Sequence, residues 1–353
     1  MTPRGTDWSL AVIVGLLFAT GVLTFFAGSS GSAWVFAFHD ALGFALAGVL
    51  VWKLRRVWRR LFNPRLRDRR TLAGALAVGL VAVTLLSGAV TASWSVVVGG
   101  YRLLDWHYVL GFGLTAAVFV HLALRAKPPR RRDLGGRREL LSGVGVALGA
   151  VAAWRVQRPL QMLLGVPGAR RRFTGSYEEA SFLGNDFPST SWVADRPRPL
   201  GQGGWRLRVS GLTATPLQLA LSELDHRDQL VATLDCTGGF YSTQRWSGMR
   251  MDRLLARAGP LASADHVRVI SHTGYRWSFG LEEAKRLMLA THVGGEPISH
   301  EHGAPLRLVA PGRRGFQWVK WIVALELHQG PDYGAPASTV LSSLSAAGRG
   351  ERS

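Results

Sequence analysis

The chain has 353 residues, 47% of them hydrophobic, and a formal net charge of +19 at pH 7. This length accommodates two domains, and the single cysteine excludes a framework of intramolecular disulfides. Dense clusters of positive charge lie at residues 53–70 and 125–138, beside apolar runs. Such placement argues against nucleic-acid binding and indicates orientation in a lipid bilayer.

Four apolar runs fill most of the first 125 positions, and each is long enough to cross a membrane as a helix. They lie at residues 8–27, 34–52, 72–92 and 106–124. A crossing needs about 20 mostly apolar residues, and none of the runs carries a charge in its central stretch. A fifth run at 140–154 is shorter and contains Gly145 and Gly149, a GxxxG pair that permits close helix packing. The sequence predicts four transmembrane helices followed by a fifth.

The loops between these runs predict the orientation in the membrane. Residues 28–33 contain no Lys or Arg and residues 93–105 contain only Arg102, whereas the arginine-rich stretches follow the second and fourth runs. Lys and Arg are enriched in cytoplasmic loops. We therefore expect a multi-pass protein of the cell inner membrane, with a cytoplasmic N-terminus and with everything after Trp154 extracytoplasmic.

Two of the runs carry a histidine in the same local pattern. His39 and His107 each follow an aromatic residue and precede a Leu-Gly pair at the same spacing. Ionisable side chains within membrane spans are uncommon and usually functional. We predict that these two imidazoles face one another and bind the iron of one haem b axially. The alternative is a pair of interfacial histidines wetted by lipid headgroups.

His121 lies 14 residues beyond His107, about four turns or ~20 Å along the same helix. A second haem there would need a partner on the second helix, but the equivalent position is Lys53. We therefore predict one haem and treat His121 as an alternative or unpaired ligand. Residues 8–125 resemble the four-helix membrane cytochromes of the b561-like kind, which implies electron exchange with quinol. Residues 1–127 are expected to form this module.

Residues 128–172 are expected to form a cytoplasmic loop, the fifth transmembrane helix and a linker. Arg137 and Arg138 precede the weakly hydrophobic fifth run, a pattern typical of a signal for the twin-arginine export machinery. The alternative is that these arginines only add to the positive charge on the cytoplasmic side. Export in the folded state would suit a domain that receives a buried cofactor before it crosses the membrane.

Residues 173–330 have the pattern of a soluble domain with short strands and helices. Strands are predicted at 205–209, 230–234, 266–270, 306–309 and 318–327, and helices at 216–221, 251–258 and 281–289. No glycine-rich dinucleotide motif or P-loop occurs. The predicted fold class is multi-domain, an all-α transmembrane helical bundle followed by a mixed α+β domain. The polar residues 331–353 are predicted to be a disordered tail.

Cys236 follows the predicted strand 230–234 and precedes Gly238 and Gly239. The glycines free the backbone to turn, so we expect the thiol at a strand end where a ligand can reach it. One alternative is a small buried hydrophobic side chain, which is what a free cysteine usually is. Another is the nucleophile of a hydrolase, although no histidine stands out as its base.

Four groups of spaced motifs follow one another in this half of the chain. They are Asn185-Asp186-Phe187-Pro188-Ser189, Cys236 with Trp246-x-Gly248, Thr291-His292-Val293-x-Gly295, and the run from Gly303-Ala304-Pro305 through Gly315-Phe316 to Lys320-Trp321-Ile322. As a set they resemble the molybdopterin-binding domain of the sulfite oxidase family. The protein-methionine-sulfoxide reductase catalytic subunits are the more similar branch. The resemblance covers about residues 173–328.

This resemblance implies that Cys236 binds molybdenum as a thiolate, a soft ligand suited to a soft metal centre. The residues implied to hold the pterin and its phosphate are Asn185, Pro188, Ser189, Ser271, His302, Arg307, Trp318, Val319 and Lys320. Arg307 and Lys320 suit a buried phosphate, which needs cationic partners. His302 stands where the reductases have an asparagine, and Ser271 stands where they have a threonine.

Departures from the family limit the predicted substrate. Sulfite oxidases follow the cysteine with an arginine-containing run that helps to bind the oxyanion, whereas Gly239-Phe240-Tyr241 stands here, which disfavours sulfite. Tyr241 and Arg245 are predicted to face the substrate; the alternatives are a core tyrosine and a surface arginine. The reductases also use a separate haem-bearing membrane subunit, whereas donor and catalyst are predicted to be joined in this chain.

Together the two halves predict a membrane-anchored molybdenum oxidoreductase. Electrons from quinol would pass through haem b to Mo-molybdopterin, which would reduce an S-oxide or N-oxide, either a small molecule or part of a peptide. One alternative oxidises a sulfur compound and passes its electrons to quinone. The other is a non-catalytic haem membrane protein whose second domain lacks a cofactor and binds a partner.

Overall fold

A computed structural model describes residues 2–62, 69–125, 128, 136–190, 195–201, 203–224 and 226–344. The chain forms two compact units, Met1–Tyr177 and Glu178–Ser353, so the division lies a few residues beyond the predicted boundary at 172. The first unit is helical, and the described part of the second contains two β-sheets with short helices. Parts of both arginine-rich stretches, 63–68 and 129–135, lie outside the described residues.

Five long helices dominate the described part of the first unit. They are α1 (Pro3–Thr24), α2 (Ala33–Phe62), α3 (Arg69–Ser93), α4 (Leu103–Arg125) and α5 (Arg137–Leu163). All five are long and apolar enough to cross a membrane. The fifth continues well past the predicted end at Trp154. Arg155 and Arg158 end its apolar pattern there, but arginine is a good helix former, so the helix itself does not stop.

The first four helices pack as neighbouring pairs. α1 packs against α2 and α3 against α4, while α1 also contacts α4 and α2 contacts α5. A 3₁₀ turn at Ser30–Ser32 joins the first pair, and a hairpin of β1 (Val97–Val98) and β2 (Tyr101–Arg102) joins the second. The buried apolar cluster of the helices consists of Val14, Leu46, Leu50, Val81 and Leu114.

The strands of the second unit form two sheets within its described part. After β3 (Tyr177–Glu178) at the boundary come β4 (Arg206–Gly211), β5 (Leu217–Ala220), β6 (Asp228–Asp235), β7 (Phe240–Arg250), β8 (His266–Ser271), β9 (Arg276–Gly280), β10 (Met288–Val293), β11 (Glu296–Pro297), β12 (Arg307–Val309) and β13 (Ile322–His328). In one sheet β7 lies between β6 and β10, and β10 also pairs with β11 and β12, all antiparallel. The other has the order β5-β4-β13-β8-β9, with β4 and β13 parallel.

Three helices accompany these sheets, α6 (Met251–Ala258), α7 (Leu281–Ala284) and α8 (Ala335–Leu344). Helix α6 confirms the prediction for 251–258, and β4, β6, β8 and β12 lie at predicted strands. The predicted helix 216–221 is wrong: Leu219 is buried between less buried neighbours, and the segment pairs with β4 as strand β5. The predicted helix 281–289 ends at Ala284, since Met288 already pairs with Arg250 in the sheet. The strand predicted from 318 begins only at Ile322.

The disordered tail predicted from residue 331 is wrong for the segment that forms α8. Ser338 is 2% exposed, and its hydroxyl bonds both the amide and the carbonyl of Arg276 in β9. Ser342 donates to the carboxylate of Asp195 at 3.1 Å. Small polar residues typical of a linker thus anchor this helix to the second unit. Residues 345–353 lie outside the described part of the chain.

Candidate functional site

Cys236 lies in the turn between β6 and β7. Its amide donates to the carbonyl of Phe240 at 2.9 Å, and its own carbonyl accepts from Gly239 at 3.2 Å. Gly239 has a φ of +90°, a conformation that glycine adopts without the steric penalty of a side chain. The turn therefore holds the thiol at the end of a paired strand.

The sulfur of Cys236 has polar neighbours although the residue is only 8% exposed. The amide nitrogen of Gly238 and the hydroxyl oxygen of Thr190 each lie 3.3 Å from Sγ. Gly315 packs against the turn, and a β-carbon there would lie 3.1 Å from the Cα of Cys236. Because metals bind the thiolate and outer hydrogen bonds orient a ligand, this environment fits a metal-bound sulfur.

An ion pair between Asp235 and Arg314 stabilises the Cys236 turn. Nη1 of Arg314 donates to Oδ1 of Asp235 at 2.6 Å, and Nη2 donates to the carbonyl of Cys236 at 3.1 Å. Both side chains are only 2% exposed. Arg314 therefore ties the residue before the thiol and the thiol residue itself to the 3₁₀ turn at Gly315–Gln317.

Arg307 is a buried cation without a carboxylate partner among the described residues. It is 1% exposed, and its guanidinium carbon lies 5.0 Å and 5.8 Å from the rings of Trp246 and Trp318. Nη1 donates to the carbonyl of His302 at 2.9 Å, whereas Nε has no hydrogen-bond partner in the described part of the protein. Burial lowers the pKa of Arg307 to about 9, so the side chain stays charged at neutral pH.

Lys320 is a second cation without a salt bridge in the described ranges, and it is partly buried. Its Nζ donates to Oγ of Ser189 at 3.1 Å and to the carbonyls of Thr190 and Glu301 at 2.9 Å and 2.7 Å. Burial, and next the charge of Arg307, lower the pKa of Lys320 to about 7. Two neighbouring cations of this kind favour an anion, and a phosphate group would satisfy both.

Lys320 makes the stability of the cofactor-free chain depend on pH. Its pKa falls from 10.5 to about 7 on folding, so between these values the unfolded chain binds more protons than the folded one. The free energy of unfolding therefore rises as the pH increases from about 7, and Lys320→Met should flatten that rise. Arg307 contributes a similar rise only above its own pKa of about 9.

Thermal unfolding of the second unit between pH 7 and 9 tests this effect in protein prepared without molybdenum cofactor. Lys285→Met is the matched control, because Lys285 lies on the surface and pairs with Glu282 three residues away. Parallel pH profiles for the wild type and Lys320→Met would contradict the assignment.

Of the remaining predicted cofactor residues, Ser189 contacts Lys320 and Trp318 contacts Arg307. Asn185 bridges the backbone, with Nδ2 donating to the carbonyl of Pro297 and Oδ1 accepting from Ser299. Ser189 donates to the carbonyl of Glu301 and accepts from Lys320, and Pro188 directly precedes it. Ser271 accepts from the amide of Thr273 at 3.3 Å. Trp318 donates to the carbonyl of Arg313, and the carbonyl of Val319 accepts from Leu308.

Both nitrogens of the His302 ring have partners within the protein. Nε2 lies 2.8 Å from the carbonyl of Phe187 and Nδ1 lies 2.7 Å from the hydroxyl of Ser299. Burial, and next the charge of Arg307, lower the pKa of His302 to about 4, so the ring is neutral. Nε2 must then donate to the carbonyl while Nδ1 accepts from Ser299. The contact of His302 with the cofactor stays a prediction.

Tyr241 and Arg245 lie at different distances from Cys236. Tyr241 pairs with Asp235, the residue before the cysteine, whereas Arg245 pairs with Val231. Four strand residues separate the two by roughly 13 Å, and Arg245 is exposed. The structure brings Tyr241 to the Cys236 end of the hairpin and leaves Arg245 further along β7.

The predicted iron ligands of the first unit, His39 and His107, face each other. Their ring centroids are 6.4 Å apart and their planes form an angle of 83°. Two imidazoles that bind one metal ion from opposite sides, each at about 2.0–2.1 Å, have centroids roughly 6 Å apart. The spacing therefore fits a single metal ion between the rings.

A cavity of about 370 Å³ opens beside these two rings, within the helical unit. Its wall is mainly apolar and includes Phe18, Phe44, Leu85, Phe112 and Leu114. Arg171 and Asp40, which form an ion pair at 3.2 Å, also line it. His121 is not part of this cavity: it lies beside Gly74, where a β-carbon would be 3.9 Å from its ring. Lys53, at the position that a partner of His121 would need, pairs with Asp7.

Sequence reasoning missed four residues that support these sites, Thr20, Ser87, Asp235 and Arg314. Thr20 and Ser87 each place a hydroxyl 2.9 Å from Nδ1 of His39 and His107, respectively. The sequence contains a signal for Thr20 and Ser87, because each directly precedes a glycine and lies in the helix before the one that carries the histidine. No comparable local signal marks Asp235 and Arg314, which lie 79 residues apart.

Comparison with protein families identifies the second unit. Residues 195–335 match the family described as the oxidoreductase molybdopterin binding domain. The second unit carries a molybdopterin-binding domain. This match indicates an oxidoreductase domain. The molybdopterin-binding domain includes Cys236, Arg307 and Lys320, whereas Asn185, Pro188 and Ser189 precede the matched range.

Curated relatives share this region at modest identity. The chain is 27% identical over 232 residues to the protein-methionine-sulfoxide reductase catalytic subunit of Gluconobacter oxydans, covering 57% of this chain and 72% of that protein. It is 26% identical over 193 residues to the NADPH nitrate reductase of Neurospora crassa, covering 42% of this chain but only 20% of the relative. The sulfane dehydrogenase SoxCD of Paracoccus pantotrophus aligns with a TM-score of 0.36 at 27% identity, over 38% of this chain and 40% of that one.

Proposed function

We propose that this chain is a membrane-anchored oxidoreductase that exchanges electrons between the quinone pool and an extracytoplasmic Mo-molybdopterin centre by way of haem b. We further propose that it reduces an S-oxide or N-oxide. The observation that carries the proposal is the facing pair His39 and His107 in a chain that also has a molybdopterin-binding domain. One chain would then combine the electron donor with the catalyst.

The helical unit fits a haem on two counts. The spacing of His39 and His107 suits one iron between them, and the apolar cavity beside them suits the body of a porphyrin. Arg171 lines the same cavity and would favour a carboxylate at the porphyrin edge. In this proposal His39 and His107 hold the group, and His121 does not take part.

The second unit fits a pterin-bound molybdenum on the same kind of evidence. Cys236 would bind the metal through Sγ, and Arg307 and Lys320 would receive the phosphate, for which the orphaned Nε of Arg307 is the clearest sign. Ser189 holds the ammonium of Lys320 in place. Tyr241, next to the thiol turn, is proposed to face the substrate. When bound, the two groups would supply electron transfer and oxygen-atom exchange, while the protein supplies placement and charge.

Reduction of an S-oxide is the reaction that the relatives favour. The Gluconobacter oxydans protein is named for reducing methionine sulfoxide. Such a step takes two electrons and two protons, breaks the sulfur–oxygen bond, and releases the sulfide and water. A quinol supplies both electrons and both protons and becomes a quinone, so the overall reaction balances without another reductant. The substrate would be either a small S-oxide or an oxidised methionine in a peptide.

The position in the membrane follows from the five apolar helices and the arginine clusters. We propose that the N-terminus is cytoplasmic and that the second unit lies outside the cytoplasm. Arg137 and Arg138 begin α5, where they could serve as a twin-arginine signal as well as cytoplasmic anchors.

A substrate screen with the purified full chain tests the proposed function. Chain reduced by a quinol analogue should be reoxidised by methionine sulfoxide or a related S-oxide, with the sulfide as product. Turnover with nitrate but with no S-oxide would support a reductase and change the proposed substrate class. Reduction of the chain by a sulfur compound, with quinone as acceptor and no S-oxide turnover, would reverse the proposed direction.

Loss of either proposed iron ligand should remove the haem. We expect His39→Leu and His107→Leu to retain less than a tenth of the wild-type haem, because an axial ligand is lost in each. His121→Leu is the matched control on α4 and should keep its full haem content and spectrum. Pyridine haemochrome assays and absorption spectra measure this. Haem loss in His121→Leu, with retention in His39→Leu, would show that the ligands are wrongly assigned.

A further inference from the structure

The two helix pairs of the first unit repeat one arrangement of side chains. On α1, Thr20 and Gly21 lie against His39 of α2, and on α3, Ser87 and Gly88 lie against His107 of α4. Hydroxyl and histidine are 19 residues apart in the first pair and 20 in the second. Because each histidine has the same two supporting residues, the arrangement serves the histidines and is not an accident of local packing.

Each hydroxyl lies within hydrogen-bond distance of the Nδ1 of its histidine and of a carbonyl of its own helix. Oγ1 of Thr20 lies 2.9 Å from Nδ1 of His39, and 2.8 Å and 3.1 Å from the carbonyls of Leu16 and Leu17. Oγ of Ser87 lies 2.9 Å from Nδ1 of His107 and 2.8 Å from the carbonyl of Thr84. A hydroxyl has one hydrogen, and a carbonyl can only accept. A hydroxyl that donates to its carbonyl can only accept from Nδ1, so both bonds form together when Nδ1 carries the ring proton.

This hydrogen bonding selects one tautomer of each neutral ring. An imidazole that carries its proton on Nδ1 has its free electron pair on Nε2, the atom that can bind a metal. The hydrogen bond at Nδ1 also fixes the angle of the ring and makes Nε2 a better electron donor. Both histidines therefore have Nε2 free to bind a metal, and the orientation of each ring is fixed.

A glycine follows each hydroxyl and lies against the ring. A β-carbon at Gly88 would lie 3.0 Å from Cε1 of His107, which is too close for an ordinary contact. At Gly21 it would lie 3.6 Å from Cε1 of His39, an ordinary contact distance. Gly88 thus provides space that the ring of His107 needs, whereas Gly21 lies beside the ring of His39 without being required for its fit.

We propose that Thr20 and Ser87 are positioning residues that hold His39 and His107 as Nδ1-protonated tautomers, so that both rings present Nε2 to one iron. This inference rests on the proposed function, since it requires haem between the two rings. A more electron-donating imidazole stabilises ferric over ferrous iron. Thr20 and Ser87 therefore also lower the midpoint potential of the haem.

Side-chain exchanges that remove only the hydroxyl test this proposal in the purified full chain. Thr20→Val and Ser87→Ala should weaken haem retention about 10–100-fold, the usual effect of losing an outer partner of a metal ligand. The haem that remains should have a higher midpoint potential, and each tenfold loss of preference for ferric iron corresponds to about 59 mV. Thr20→Ser and Ser87→Thr keep the hydroxyl and should restore both values.

Ser142→Ala is the matched control for hydroxyl loss on a membrane helix. Its hydroxyl bonds the carbonyl of Arg138 at 2.8 Å, and no histidine bond to it is found in the described residues. If the wild type binds haem and all the hydroxyl-free variants behave like Ser142→Ala, the positioning role is refuted while the proposed function stands. A wild type without haem would refute the proposed function itself.

A second measurement needs no variant and covers the case in which Thr20→Val or Ser87→Ala fails to fold. Pulsed electron paramagnetic resonance of the ferric wild-type chain should show, for the remote nitrogen of both imidazoles, the nitrogen quadrupole coupling of an N–H group that donates a hydrogen bond. The coupling of an N–H group without a hydrogen bond, on either ring, would overturn the proposed role of the hydroxyls. The molybdenum content of each variant reports independently whether the second unit has folded.

Discussion

Replacing Cys236 by serine is expected to reduce both the molybdenum content and the oxidoreductase activity to background. The chain has no other cysteine, so no second thiolate can take over. A serine hydroxyl stays protonated at neutral pH and is a poor ligand for a soft metal centre. The fold should persist, because the exchange of sulfur for oxygen leaves the backbone bonds of Cys236 to Phe240 and Gly239 in place.

Molybdenum per chain, pterin released by oxidation, and turnover of an S-oxide measure this effect. Thr190→Ala is the matched control, because it removes the hydroxyl 3.3 Å from the sulfur without touching the ligand atom. Because an outer hydrogen bond orients a ligand, we expect that variant to hold molybdenum less well than the wild type but far better than Cys236→Ser. Wild-type metal content and turnover in Cys236→Ser would show that the thiol is not a ligand and would leave it as a small core side chain.

Arg314→Met should lower the free energy of unfolding of the second unit more than the other single substitutions proposed for that unit. Arg314→Met would leave the carboxylate of Asp235, 2% exposed, without its ion-pair partner. Breaking a buried pair in this way typically costs about 3–5 kcal/mol. The same exchange removes the bond from Nη2 to the carbonyl of Cys236, so molybdenum retention should fall as well.

The neighbouring residue offers a close control. Arg313 forms a two-point pair with Glu283, at 2.6 Å for each contact, but its side chain is 35% exposed. Ion pairs nearer the surface contribute less than buried ones, so Arg313→Met should cost less stability than Arg314→Met. Denaturant unfolding of the second unit, with hydrogen exchange of the amides at 234–240, compares the two. Equal losses of stability in Arg314→Met and Arg313→Met would contradict the expectation that the buried ion pair contributes more than the partly exposed one.

A double exchange separates the ion pair from the turn that it supports. Asp235→Leu together with Arg314→Met replaces two buried charges by apolar side chains, which is often neutral for stability. We expect this chain to regain most of the stability lost by Arg314→Met alone. Its molybdenum retention should stay low, because the bond from Arg314 to the Cys236 carbonyl is still missing.

The parts of the sites that the sequence predicted have local causes. Cys236 was predictable because an apolar strand and two glycines stand next to it, and this pattern determines a turn with few alternatives. His39 and His107 were predictable as a facing pair because the same pattern of neighbours repeats in two spans of similar length. In both cases the information lies within a few residues of the functional side chain.

The parts that were missed depend on tertiary contacts. The pairing of Asp235 with Arg314 requires the 3₁₀ turn at Gly315–Gln317 to pack against the hairpin, and no sequence spacing encodes that. The contacts of the His302 ring with Phe187 and Ser299 also depend on the tertiary fold, and its motif does not predict them. Helix α8 was missed because its contacts with Arg276 and Asp195 come from distant parts of the chain.

Quantifying molybdenum, molybdopterin and haem in one purified preparation tests most directly whether a single chain carries both redox centres. We predict one molybdenum and one haem b per chain, with the haem reduced by a quinol analogue and reoxidised when methionine sulfoxide is added. Full molybdenum content and S-oxide turnover with an artificial donor, in a chain that binds no haem, would contradict the coupling of the two units.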